Sequence, residues 1–258
     1  MALFTQATES SNGGNSQKME APLLTAGGYP ARLREIVDLG LQPGSRDFPE
    51  PQLKMSLVFE CLDEFMRDEE GKELLDEPRV FDYEISYNAD GYMSERSNIF
   101  KVMQALGGFT KPLQELLGTP CTISLIQKGT KADAAKKYNK VTGVTAMREK
   151  DVEKAEPLKG ETFFFSLDAN ATKEMFEKTS KRGGEYSQQS KIKGSLSLWK
   201  DAPQLAEALG LEKPTAVDVT EPQKDDVDPA VLADIKNTEA VLGAVPEQED
   251  ADSDDPFA

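Results

Sequence analysis

"SERSNIFKVMQALGG", Ser94 to Gly108, is where the hydrophobic period of this chain changes. Ile99, Val102, Met103 and Leu106 recur at intervals of three and four, the spacing of one helix face. The run opens on Ser94, with Ser97 as a second capping hydroxyl, and stops at Gly107-Gly108. It predicts a helix, and its neighbours on either side decide the architecture.

Three strands are predicted before it. Ala31 to Leu39 alternates imperfectly and is closed by Gly and Pro. In "LKMSLVFECL" (53–62), Leu53, Met55, Leu57 and Phe59 oppose Lys54, Ser56 and Glu60. In "RVFDYEISY" (79–87), Phe81, Tyr83, Ile85 and Tyr87 oppose Asp82, Glu84 and Ser86. "RDEEGKELLDEP" (67–78) reads as an acidic loop between the second and third. After the helix, "TKPLQELLG" (110–118) reads as one more short helix, with Pro early and Gly at its end. "PCTISLIQKG" (120–129) is a fourth strand and "KKYNKVTGVTAMR" (136–148) a fifth. Three strands, a helical segment and two strands are the order of the OB-fold barrel. The fold class expected is therefore mainly β with helices: a five-stranded OB-fold barrel with its helical segment between strands three and four, plus a disordered acidic tail.

Four regions follow from composition. Residues 1–24 are expected to be a flexible arm, rich in Ser, Asn, Gln and Gly over the first twenty, and 25–155 the OB-fold core. Residues 156–213 form an α/β extension, with a strand in "GETFFFSLD", a helix in "ATKEMFEKTSKRGG", and a turn and last helix in "SLSLWKDAPQLAEALGLEK". In 214–258 proline and acids dominate, which predicts a disordered tail, "DPAVLADIKNTEAVLG" included as linker.

Charge is segregated along the chain. The tail holds thirteen acids and two lysines, a net of −11 out of the chain's −16, so the other 213 residues carry only −5. Lys128 to Arg148 holds six bases and one acid. An even spread of −16 would argue against nucleic acid; this distribution does not.

Several chemistries are set aside. Without histidine there is no imidazole base, no Ser-His or Cys-His nucleophile, and little basis for zinc. Cys61 and Cys121 lie in apolar runs and read as reduced core residues of a cytosolic protein. No run approaches the length of a membrane span, so no membrane partner is expected. The start, "MALFTQATESSNGG", lacks the basic flank and apolar core of a signal peptide. "DADSDD" opens like a calcium loop, but Asp255 stands where that loop needs Gly, and no twelfth-position Glu follows. No phosphate loop, nucleophile elbow or paired-carboxylate signature stands out, so the chain reads as no enzyme, with neither cofactor nor metal.

The candidate binding residues are basic and aromatic. Lys128, Lys131, Lys136, Lys137, Lys140 and Arg148 crowd the hairpin between strands four and five, with Tyr138 among them. Lysines release counterions from phosphates, and an aromatic ring offers any base a face to stack on. Arg32, Arg34 and Lys54 lie opposite the apolar faces of strands one and two. Tyr83 and Tyr87 share a face with Phe81 and Ile85, so each is a candidate for stacking and for core packing alike. A second basic stretch, 173–200, carries Phe176, Tyr186 and Trp199. At the terminus, Asp254, Asp255, Pro256 and Phe257 join a dense acid run to one large apolar ring, which suits a basic-rimmed apolar pocket on a partner.

The ending "DDPFA" resembles the acidic tip of bacterial single-stranded DNA-binding proteins. "GGYPARLREIVDLGLQPG", "LVFECLDEFMRDEEGKELLDEPR", "GTPCTISLIQKG" and "VTGVTAMREKDVEKAEPL" resemble the single-stranded DNA-binding replication proteins of tailed bacteriophages. The resemblance spans about residues 25–160. It implies an OB-fold core that binds single-stranded DNA without sequence preference. It also implies a tail that recruits phage or host replication and recombination proteins, and a place in the cytoplasm of the infected bacterial host. Residues 156–213 and the terminal Ala258 depart from the pattern. A homo-oligomer is compatible with this reading. The alternative is a virion or assembly structural protein whose acidic tail binds a basic partner.

Overall fold

The computed structural model describes residues 21–44, 49–130 and 134–213. Six strands are β1 (Gly27–Gln42), β2 (Gln52–Arg67), β3 (Glu73–Tyr87), β4 (Pro120–Gly129), β5 (Lys137–Ala146) and β6 (Phe163–Phe165). The helices are α1 (Asn98–Leu106), α2 (Glu149–Val152), α3 (Lys173–Lys178), α4 (Gln188–Lys193), α5 (Leu198–Asp201) and α6 (Pro203–Ala208). The fold is mainly β. One sheet runs β3-β2-β1-β4-β5, antiparallel along that path, with β6 added parallel to β1. No backbone ladder joins its two ends, β3 and β5, so the sheet is not closed.

The alternation predicted for β2 and β3 is what buries them. Leu57 faces Tyr83 and Phe59 faces Phe81 across the ladder, all in the main core. α1 covers that core with Ile99, Val102, Met103 and Leu106, each worth about 1.5–3 kcal/mol of burial. Ser97 caps α1, its Oγ accepting from the Phe100 N–H at 3.3 Å, and left-handed Gly107 ends it. Ser94 is not the cap; its carbonyl accepts the Ser97 N–H.

β1 serves two cores. Ala31, Leu33 and Ile36 point into the main core. A register shift between Leu33 and Glu35 then moves the alternation by one residue. Val37 and Leu39 therefore turn to the opposite face, where Phe165, Leu167, Phe176, Ile192, Leu198 and Leu205 bury them. β4 pairs with Gly27–Arg32 of β1, and β6 with Glu35–Val37. Gly40, at φ +70°, sits under this second core; a Cβ there would meet Ser195 Oγ at 2.4 Å and Leu167 Cδ2 at 2.5 Å.

Four expectations change. The acidic run 67–78 is mostly strand: β2 and β3 continue past the core as a two-stranded ribbon. It turns at Gly71, where Asp68 Oδ1 accepts the Glu70 and Lys72 N–H groups. Its apolar alternation is lost because the ribbon has no core to face. The helix expected over 110–118 is two 3₁₀ turns, Gly108–Thr110 and Leu113–Leu116. The extension is not set apart from the core, since the described residues form one compact unit. The arm ends early: Leu24 is buried, its N–H donates to Asn139 Oδ1 at 2.9 Å, and Arg79 donates to the Pro22 carbonyl. Residues 1–20 and 214–258 lie outside the described residues, and so do the expectations placed on them.

Cys61 and Cys121 are both register partners of Ala31, from β2 on one side and β4 on the other. Two strand spacings of about 4.8 Å separate them, beyond the reach of about 7 Å for a disulfide. Both are free and buried, and burial pushes each thiol up to about 12.

Candidate nucleic-acid interface

The β4–β5 ladder sorts its side chains to two faces, with one register shift between Ser124 and Leu125. Cys121, Ile123 and Leu125 point inward and are fully buried, as are Val141 and Val144 opposite them. Thr122, Ser124, Ile126 and Lys128 therefore point outward. Across the ladder Lys128 faces Tyr138 and Ile126 faces Lys140. Directly opposed side chains stand about 5 Å apart at Cβ. Tyr138 is 42% exposed and Ile126 40%. The result is a solvent-facing quartet of two ammonium groups, one phenol ring and one aliphatic side chain. Lys137, paired with Gly129, is exposed at the hairpin end, and Lys136 closes the turn by accepting the Thr130 N–H on its carbonyl. Lys131 lies outside the described residues. Ile126 was not among the predicted residues, although the alternation of Cys121, Ile123 and Leu125 against Thr122, Ser124 and Ile126 already sets it on the outward face.

The other predicted basic residues are tied into the scaffold. Arg32 donates to three backbone carbonyls: Nε to Glu156 at 2.7 Å, Nη1 to Gly118 at 2.6 Å and Nη2 to Ala155 at 3.0 Å. Arg34 pairs with Glu35 and with buried Glu60. Glu60 also accepts the N–H groups of Lys159 and Gly160, so it pins residues 159–160 to the sheet. Lys54 and Lys191 both pair with Glu84. Burial alone would raise the Glu84 carboxyl, but these two lysines outweigh it and hold it below its ordinary value.

Both candidate tyrosines of β3 belong to the core. The Tyr83 ring is buried and cannot present a face to a base; burial raises its hydroxyl, which lies 3.5 Å from the Thr142 carbonyl on β5. Tyr87 packs against the same core and donates to Asp38 Oδ1 at 3.0 Å. Burial, then the Asp38 charge, raises its hydroxyl too. Burial likewise raises Asp38, against hydrogen bonds from Gly40 and Tyr87. In the second basic stretch, Phe176 is buried and Trp199 packs on the second core, which leaves only Tyr186 presenting its ring to solvent.

The extension decides which outward face stays open. Outward Ser56, Val58 and Glu60 of β2 are all buried. Gln188 on α4 donates to Ser56 Oγ at 3.1 Å, and Lys191 reaches Glu84 on β3. On β3, Asp82 and Ser86 stay exposed, but the outward face of β2 is thus covered, whereas that of β4–β5 is not. Between them lies a groove of about 650 Å³. Its floor is a row across the sheet, Leu62, Pro30, Thr122 and Thr145, and its wall is the segment from Met147 to Glu156 that carries α2. Arg148 stands at its edge, exposed and paired with Asp151 at 2.7 Å.

No family model, curated protein or solved structure matches this chain. Among the described residues there is no cluster of side chains able to hold a metal, and no helix long and apolar enough to cross a membrane. The tip residues Asp254, Asp255, Pro256 and Phe257 lie outside the described residues.

Proposed function

We propose that this protein binds single-stranded DNA without strong sequence preference, through the outward face of its β4–β5 hairpin. The observation that carries this reading is the exposed quartet of Ile126, Lys128, Tyr138 and Lys140. Lysines neutralise phosphates wherever the backbone lies, and a tyrosine ring stacks on any unpaired base. Duplex DNA keeps its bases stacked and offers the ring nothing.

We read the core as an OB-type barrel opened between β3 and β5. The strand order with a helix between β3 and β4 supports this, as does the approach of Tyr83 to Thr142 across the gap. OB-folds commonly place nucleic acid on the face of strands two and three. Here the β2 half of that face is taken by the extension, which shifts the proposed site to β4–β5. The setting in phage DNA replication and recombination rests on the resemblance over residues 25–160. Residues 214–258, with a net charge of −11, are proposed to recruit partner enzymes through Phe257 and its acids.

Titrating the full chain with oligo-dT and with duplex of equal length, over a salt series, tests the proposal. Preference for the single strand with a salt-dependent affinity supports it. Equal affinity for both at physiological salt overturns it. Co-purification with virus particles and indifference to oligo-dT would favour the virion role.

A further inference from the structure

The segment from the end of α3 to the start of α4 carries a second basic and aromatic surface that the hairpin leaves unused. Lys178, Lys181, Arg182 and Tyr186 are exposed in it, Tyr186 at 68%. None of these three bases forms an ion pair among the described residues. The segment is clamped at its mouth: Gln188 Oε1 accepts the Ser180 N–H at 2.9 Å while its Nε2 donates to Ser56 on β2. The Tyr186 N–H donates to the Gly183 carbonyl at 3.0 Å, so the ring stands on a closed turn.

The place of this loop ties it to the hairpin. Asn139, between Tyr138 and Lys140 on β5, donates to the Leu24 carbonyl at 2.8 Å and accepts the Leu24 N–H. The Pro22 carbonyl accepts from Arg79 on β3. Burial lowers the Arg79 guanidinium, and Arg182 lies near enough for its charge to add to that. Residues 22–24 thus bridge β5 to β3 at one end of the open sheet, with the hairpin on one side and the α3–α4 loop on the other. The acids at hand are few. Glu185 is the one acid in the loop, Asp82 is exposed on β3, and Glu84 is taken by Lys54 and Lys191.

We propose that Lys181, Arg182 and Tyr186 form a second contact for the same single strand, which passes from the β4–β5 hairpin across residues 22–24 to the α3–α4 loop. Tyr138 and Tyr186 stack on separate bases, and Lys181 and Arg182 neutralise phosphates beyond those held by Lys128 and Lys140. The extension hides the β2 face and supplies a contact of its own in exchange. The inference rests on the single-strand reading proposed above.

The experiment titrates the full chain with an oligo-dT length series from about 4 to 16 nucleotides, the range of site sizes for one OB-fold. Affinity should rise in two stages. Short oligomers occupy the hairpin alone, and longer ones gain about tenfold on reaching Tyr186, the size of one stacking contact. Tyr186→Ala should abolish the second stage and leave the first. The double variant Lys181→Ala, Arg182→Ala should flatten the log-log salt slope of long oligomers by about 1.4, at roughly 0.7 per phosphate, and leave that of short ones unchanged. All three side chains are exposed, so thermal unfolding of both variants should match the parent. Tyr138→Ala should weaken every length. Tight binding in which long oligomers ignore all three substitutions overturns the second contact and leaves the single-strand reading intact. Losses equal on short and long oligomers overturn it as well, because the loop would then not be a separate station. Failure of the parent to bind any length overturns both.

Discussion

Lys128 on β4 and Tyr138 on β5 are register partners on the outward face of the sheet, so an ammonium group and a phenol ring stand side by side in solvent. One nucleotide can meet both at once, its phosphate on the lysine and its base on the ring. The two contributions separate by mutation. Tyr138→Ala should weaken oligo-dT binding by about 1–3 kcal/mol and leave the salt slope unchanged. The triple change Lys128→Ala, Lys137→Ala, Lys140→Ala should flatten the log-log slope by about 2, at roughly 0.7 for each phosphate no longer neutralised. An affinity indifferent to Tyr138 would show that the ring does not stack.

Arg32 is expected to behave oppositely. Its three bonds to carbonyls of residues 118, 155 and 156 fasten the turn before β4 and the segment behind β5 to β1. Arg32→Ala should lower unfolding stability by about 2 kcal/mol, with the salt slope of DNA binding unmoved. Lysine should not restore it, because an ammonium cannot span three acceptors laid out for a planar fork. A changed slope with unchanged stability would return Arg32 to the proposed DNA-binding surface.

Glu84 gives a pH signature. Its folded-state carboxyl lies below the ordinary 4.5 because Lys191 and Lys54 outweigh burial. A depressed carboxyl contributes stability that is fully present above 4.5 and is lost as pH falls through the folded value. Glu84→Gln should therefore cost about 1–2 kcal/mol at neutral pH. The gap to the parent should close in acid, below 4.5. Denaturant unfolding along a pH series checks this; a gap constant with pH would show that the charge is not what matters.

Gly40→Ala should be among the most damaging small substitutions. It combines a left-handed backbone with a Cβ 2.4 Å from Ser195 Oγ. A loss of at least about 2 kcal/mol is expected. Gly91→Ala is the control, because its φ is +75° but nothing lies within 4 Å of the added carbon, and strain alone should cost about 1 kcal/mol. Equal losses at the two sites would mean that the second core yields easily.

The sheet was legible where one face is buried and the other wet. β4 fell on the predicted bounds, and α1 was set by Ile99, Val102, Met103 and Leu106. The acidic ribbon 67–78 was not legible, because strands that face solvent on both sides carry no alternation. The site was half legible. Crowded lysines around Tyr138 are a local signal, and of them Lys128, Lys137 and Lys140 share the β4–β5 hairpin with it. Apart from Glu35 beside Arg34, what holds Arg32, Arg34 and Lys54 is not local: the other partners are carbonyls and carboxylates 26 to 124 residues away. Tyr83 and Tyr87 could not be told from stacking residues, because a ring on an apolar face reads the same whether that face is covered or open.

The shift in β1 between Leu33 and Glu35 also bears on how the chain comes off the ribosome. Val37 and Leu39 are made early, while Phe165 and Leu205, which shield them, are made late. At about 5–20 residues per second, the interval is on the order of ten seconds. During that time the nascent chain holds a finished strand with one greasy flank uncovered. The yield of soluble protein then depends on what shields that flank during elongation, and a finished molecule of ample stability can still be lost on the way.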